Sequence, residues 1–127
     1  MHQRKRVVLI RNVSMDWPLE ARVSYQARIQ QLRTHLEQAG LAVEILDISP
    51  SFEDRFAKKG ADGMVFFLRC MLEMAERLHQ RFRIPTHLVT MLIDLPHQKQ
   101  SSIVLHDWIK DRNLAQASLR ILSSLAA

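Results

Sequence analysis

Short apolar runs alternate with longer amphipathic stretches along most of this chain. The first run, residues 7–10, lies between the basic Arg6 and the polar Arg11 and Asn12. Four consecutive large apolar side chains populate both faces of a strand, as at the centre of a parallel sheet covered on both sides. We expect a strand over 6–12. Residues 12–18 read as a loop, with Asp16 or Trp17 as N-cap, Pro18 in the first turn and Glu20 favouring the helix dipole. The helix should span about 18–39. Tyr25, Ile29, Leu32, Leu36 and Ala39 recur at alternating steps of four and three and form one apolar stripe. Arg22, Arg28 and Arg33 fall largely off it, and Gly40 is placed to end the helix.

The next run, 41–48, reads as a strand with Val43 and Ile45 on one face and Glu44 and Leu46 on the other. A glutamate on a strand face points to a sheet edge. Strand, long helix and strand together make a right-handed crossover unit. Ser51 and Asp54 resemble a capping box and should open a short helix that stops at Gly60.

Residues 61–83 admit two readings. Met64, Leu68, Met71, Ala75, Leu78 and Phe82 keep an unbroken four-three pattern, and Asp62 could cap a helix of that whole length. Alternatively 64–68 is a buried strand and the helix starts near Met71. The unbroken pattern favours one helix. Residues 87–95 are apolar on both faces and read as a second central strand, bounded by Pro85 and Pro96. Beyond them, 103–110 and 114–125 read as helices, with a break near Asn113.

This alternation predicts an α/β fold with three α/β/α layers around a small, mostly parallel sheet. Three strands would take the order 2-1-3, and a fourth would make it 2-1-3-4, with 41–48 at an edge. In the strand at 6–12, the segment GLAVEILDISP and the stretch GADGMVFFL, the chain resembles flavodoxin-like and receiver-like domains. The resemblance implies a flavodoxin-like or Rossmann-like half. The loop after the first strand lacks the Ser/Thr/Gly-rich phosphate cradle of flavodoxins. The acidic pair of receivers is missing there too, so no functional residue is carried over.

The 127 residues amount to one domain, and 47% of them are hydrophobic, enough for a substantial core. The formal net charge of +5 raises the prospect of an anionic partner. Arg4, Lys5, Arg6 and Arg11, with Arg77, Arg81 and Arg83, could bind phosphates. No recognition helix or aromatic stacking platform accompanies them, so nucleic acid is the weaker reading. A single cysteine, Cys70, excludes an internal disulfide and suggests a reducing, cytoplasmic compartment. It sits among apolar neighbours, where a buried thiol is commoner than a nucleophile. The first apolar run is too short for a membrane span or a signal peptide's apolar region. No cofactor is indicated, and the six histidines form no metal-ligand arrangement.

Ligands of parallel α/β sheets bind beyond the carboxyl ends of the strands. Here those ends carry Asn12, Ser14 and Asp16, then Asp47 and Ser49, then Asp94 and His97. Three acidic groups on one rim could hold a metal or act as acid and base. Caps and turns use the same residue types.

Two functions fit. One is a non-enzymatic binding or regulatory module, acting as a homodimer. The other is an enzyme, or a degenerate flavodoxin-like protein, with a small anionic ligand at the strand ends. The dimer rests on 61–83 being one helix. Val65, Phe66, Phe67 and Leu68 would then sweep most of its circumference, more than one sheet face covers, and would form the subunit interface.

Overall fold

A computed structural model describes residues 5–12, 16–67, 71–90 and 104–107. Its elements are β1 (Arg6–Arg11), α1 (Leu19–Gln38), β2 (Ala42–Asp47), α2 (Phe52–Lys59), β3 (Gly63–Phe67), α3 (Leu72–Phe82), β4 (Thr86–Thr90) and β5 (Val104–Asp107). The strands form one sheet in the order β2-β1-β3-β4-β5, and each neighbouring pair is parallel. This is the flavodoxin-like order. It extends the expected 2-1-3-4 by one strand, with β2 at the edge as its glutamate suggested.

Two expectations are corrected. Residues 64–68 do not continue a helix, because β3 runs over Gly63–Phe67 in the middle of the sheet and every one of its residues is buried. A central strand between two helical layers hides consecutive apolar side chains on both faces, which no helix on a single sheet face can do. The helical stripe is real only from Met71 onward, where Met71, Ala75 and Leu78 are buried. The interface argued for Val65, Phe66 and Phe67 loses its premise, since all three have no exposed surface. Leu68 lies outside the described residues. The second correction is at 103–110, where Val104–Asp107 is the edge strand β5 and not part of a helix. Four residues are too few for periodicity to separate the two states. The described part of the expected strand at 87–95 is β4; its remainder and the expected helix at 114–125 lie outside the described residues.

Register and ring contacts assign the faces of the sheet. Val8, Glu44, Met64 and Thr86 stand level on one face, and Leu9, Ile45, Val65 and His87 on the other. The Tyr25 ring of α1 meets Phe67 edge-on at 6.3 Å, which puts α1 over the second face. On the first face His79 of α3 bonds Thr86 through Nδ1 at 3.1 Å, and Phe56 of α2 packs on Phe82 of α3 at 4.8 Å. Right-handed crossovers require this division, because the chain reverses direction across the sheet after β2.

The helices are buried along the expected stripes: Tyr25, Ile29, Leu32 and Leu36 in α1, Phe52 and Phe56 in α2. Full burial of each such side chain contributes about 1.5–3 kcal/mol. Their starts differ from expectation. Pro18 takes the N-cap position of α1, and Ser51 caps α2 without a side-chain hydrogen bond. Gly40 and Gly60 end α1 and α2 with φ of 96° and 68°, values that glycine adopts at little steric cost.

Candidate functional site

The chain steps from β1 to β2 on one side and then returns to β3 on the other. The carboxyl ends of β1 and β3 therefore mark the topological switch point of the sheet. Tyr25, in the second turn of α1, reaches under the rim and is 3% exposed. Its hydroxyl accepts the Asn12 backbone N–H at 3.2 Å and faces the Phe67 carbonyl at 3.4 Å, a long donor contact. One phenol thus spans the last residue of β3 and the residue after β1. Trp17 stacks edge-on against the same ring at 5.2 Å, so the turn entering α1 closes over it.

Beside this ring, Arg11 and Asp47 stand level at the ends of β1 and β2. They form a two-pronged ion pair, with Nε to Oδ1 at 2.7 Å and Nη2 to Oδ2 at 2.9 Å. The Ile48 N–H donates to the Arg11 carbonyl at 3.0 Å and extends the β1–β2 pairing past the pair. The hydrogen bonds from Arg11 lower the Asp47 pKa, while burial works against this. Arg11 is raised, first by its hydrogen bond to Asp47, against desolvation. Each group holds the other in its charged form. The guanidinium fork is already occupied by a carboxylate of matching geometry.

Of the residues expected at the rim, Asn12 and Asp47 are brought to it. Asn12 contributes its backbone N–H to Tyr25, and the Asp47 carboxylate is engaged by Arg11. Asp16 is exposed in the turn before α1. Ser14, Asp94 and His97 lie outside the described residues. In the sequence Tyr25 reads only as part of an apolar stripe, although a buried tyrosine needs a partner for its hydroxyl, and that need is a readable signal. Among the described residues no group of three or more His, Cys, Asp or Glu could hold a metal ion.

Among the described basic residues, Arg6, Arg11, Arg77 and Arg81 engage carboxylates, and Arg4 lies outside the described residues. Arg6 pairs with Glu44, which also takes Lys59 at 3.2 Å. Arg77 and Arg81 both clasp Glu53, the second at 2.8 Å. Arg83 adopts a left-handed φ of 56° and closes α3, its N–H donating to the His79 carbonyl at 2.8 Å.

No known family model matches the sequence, and no curated protein does. Solved structures do match in shape. An orphan response regulator of H. pylori, HP1043, superposes with a TM-score of 0.69 at 14% identity, over 97% of this chain and 99% of that one. A putative lipoprotein fragment from Peptoclostridium difficile 630 superposes with a TM-score of 0.68 at 11% identity, over 98% and 100%. At such identities the likeness shows the fold alone, a flavodoxin-like α/β domain. No helix among the described residues is long and apolar enough to cross a membrane.

Proposed function

We propose that this protein is a non-enzymatic binding or regulatory α/β module. The observation that carries this reading is that the described groups at the rim engage one another. At the switch point Tyr25 joins the ends of β1 and β3, and the charged pair beside it is satisfied within the chain. A general base or an anion receptor needs a group free to engage its substrate. Arg11 and Asp47 instead engage one another. The fold shared with a response regulator agrees with a regulatory role. The first strand ends in Arg11 and Asn12, not in an acidic pair, so that role would not run through acidic-pair chemistry at this position.

The competing reading, a small anionic ligand and an enzymatic reaction at the strand ends, draws on Asp94 and His97, outside the described residues. Nucleic-acid binding finds less support, because Arg6, Arg11, Arg77 and Arg81 each engage a carboxylate. One experiment separates the readings. Thermal unfolding is followed with flavins, nucleotides, inorganic phosphate and divalent cations at millimolar concentration, alongside titration of labelled DNA at low salt. The regulatory reading expects no saturable shift and no DNA complex. A saturable rise in Tm with any of the small molecules, or a DNA complex that dissociates steeply with salt, would replace it.

A further inference from the structure

The ion pair at the carboxyl end of β1 is lopsided. The Arg11 side chain is 23% exposed and that of Asp47 62%. The arginine is set into the protein, whereas the carboxylate stands in solvent. Among the described residues Asp47 has Arg11 as its partner, through Nε to Oδ1 and Nη2 to Oδ2. The other carboxylate of β2 is held differently, since Glu44 is half-buried and takes both Arg6 and Lys59. Arg11 ends β1 level with Asp47 at the end of β2. The fork therefore lies on the carboxyl rim next to the switch point, where sheets of this kind receive ligands. Two guanidinium N–H groups set side by side match two oxygens of one carboxylate or phosphate group. Asp47 supplies such a pair of oxygens from within the chain.

Building on the regulatory reading, we infer that the Arg11 fork is a receptor for a small oxyanion, a carboxylate or a phosphate, and that Asp47 holds it shut. The hydrogen bonds from Arg11 keep the Asp47 carboxyl below its ordinary value, so at neutral pH it is charged and fills the fork. An ion pair with so exposed a member is weak in itself. Tethering nevertheless presents this carboxylate to Arg11 at an effective concentration of about millimolar or more, which a dilute free oxyanion does not match. Withdrawing it leaves a half-buried guanidinium short of two hydrogen bonds. An oxyanion from outside restores both with the same geometry. Arg6 offers no such exchange, because its carboxylate is pinned by a second cation.

Nitrogen-15 NMR of the full chain tests this at the Arg11 Nε–H signal and at the Asn12 and Ile48 backbone amides. Sodium phosphate, acetate and chloride are titrated at neutral pH and matched ionic strength. The wild type is expected to show no saturable shift below about ten millimolar. Asp47→Ala should bind phosphate or acetate saturably, at least about tenfold more tightly than wild type. Chloride, which lacks paired oxygens, should not saturate. Adding Arg11→Gln to Asp47→Ala should abolish the response at both amides. Amide dispersion establishes that each variant is folded, and Asp47→Asn, which loses the charge and keeps the shape, replaces an Asp47→Ala that is not. A folded Asp47 variant that binds neither oxyanion, an equal response to chloride, or a wild type that binds as tightly as the variant would overturn the inference. A silent variant beside a silent wild type leaves the regulatory reading standing, whereas saturable binding by the wild type sinks that reading.

Discussion

β1 carries an arginine at each end, and each reaches a carboxylate on β2, yet the two ends of the strand are built differently. At the amino end Arg6 faces the α2 side and enters a network. Its guanidinium meets Glu44 and the Lys59 carbonyl, its N–H donates to Asp62 Oδ2 at 2.7 Å, and its carbonyl accepts the Asp62 N–H at 2.8 Å. Three strands and a helix end are drawn together there. At the carboxyl end Arg11 faces the α1 side and holds one carboxylate, Asp47, whose side chain is 62% exposed. The binding between strand ends there is done by the buried phenol of Tyr25. The charged groups thus lock the amino end, whereas at the carboxyl end an aromatic side chain does so and the ion pair stands beside it.

The most severe way to break this contrast is to remove the phenol. Tyr25→Ala should destabilise the fold by about 3–5 kcal/mol, as for deletion of other buried aromatic side chains. Tyr25→Phe should cost only about 0.5–1.5 kcal/mol, the worth of its hydrogen bonding. Urea denaturation measures both. Equal costs would mean that the hydroxyl, and not the ring, ties the ends of β1 and β3.

Neutralising the two β2 carboxylates gives a smaller effect and sharpens the comparison. Glu44→Gln leaves Arg6 and Lys59 short of a shared anion at a half-buried position and should cost about 1–2 kcal/mol. Asp47→Asn breaks an exposed pair and should cost about 0–1 kcal/mol, less still in high salt. If Asp47→Asn proves the costlier in matched denaturation curves, the carboxyl rim is held by charge after all.

The smallest effect is on acid stability. The folded Asp47 pKa lies below its unfolded value of about 3.9. Its contribution is therefore complete above that unfolded pKa and is lost as pH falls through the folded one. Wild type and Asp47→Asn should differ in Tm at pH 7 and converge as the pH drops below about 4. A difference that persists at pH 2 would show that the substitution acts through packing instead.

Much of this fold was legible because composition and period agreed. In β1 four apolar residues in a row satisfy only a strand covered on both faces. In β2 Glu44 marks an edge, and there its partners Arg6 and Lys59 can reach it. The α1 stripe runs long enough to admit one period. Residues 63–67 were different. Met64 falls at helical spacing from Leu68 and Met71, so the local pattern fits either state, and the choice depends on a vacant place between β1 and β4 that no local window contains. The four residues of β5 are shorter still. At the rim, the topological rule alone located Asn12 and Asp47, since strand ends follow from strand order.

By itself, then, the sequence determined the layered α/β architecture, the edge position of β2 and the apolar stripes of the helices. These follow from side-chain periodicity and local backbone preference, which act over a few residues. Only the tertiary structure decided that 63–67 is the central strand, that Arg11 is taken by Asp47, and that Tyr25 joins the strand ends at the switch point. Each of those depends on the register between segments distant along the chain: Val65 beside Leu9, Asp47 beside Arg11, and Tyr25 between the ends of two strands. Long-range register is set by the joint burial of the whole core, and no single stretch of residues encodes it.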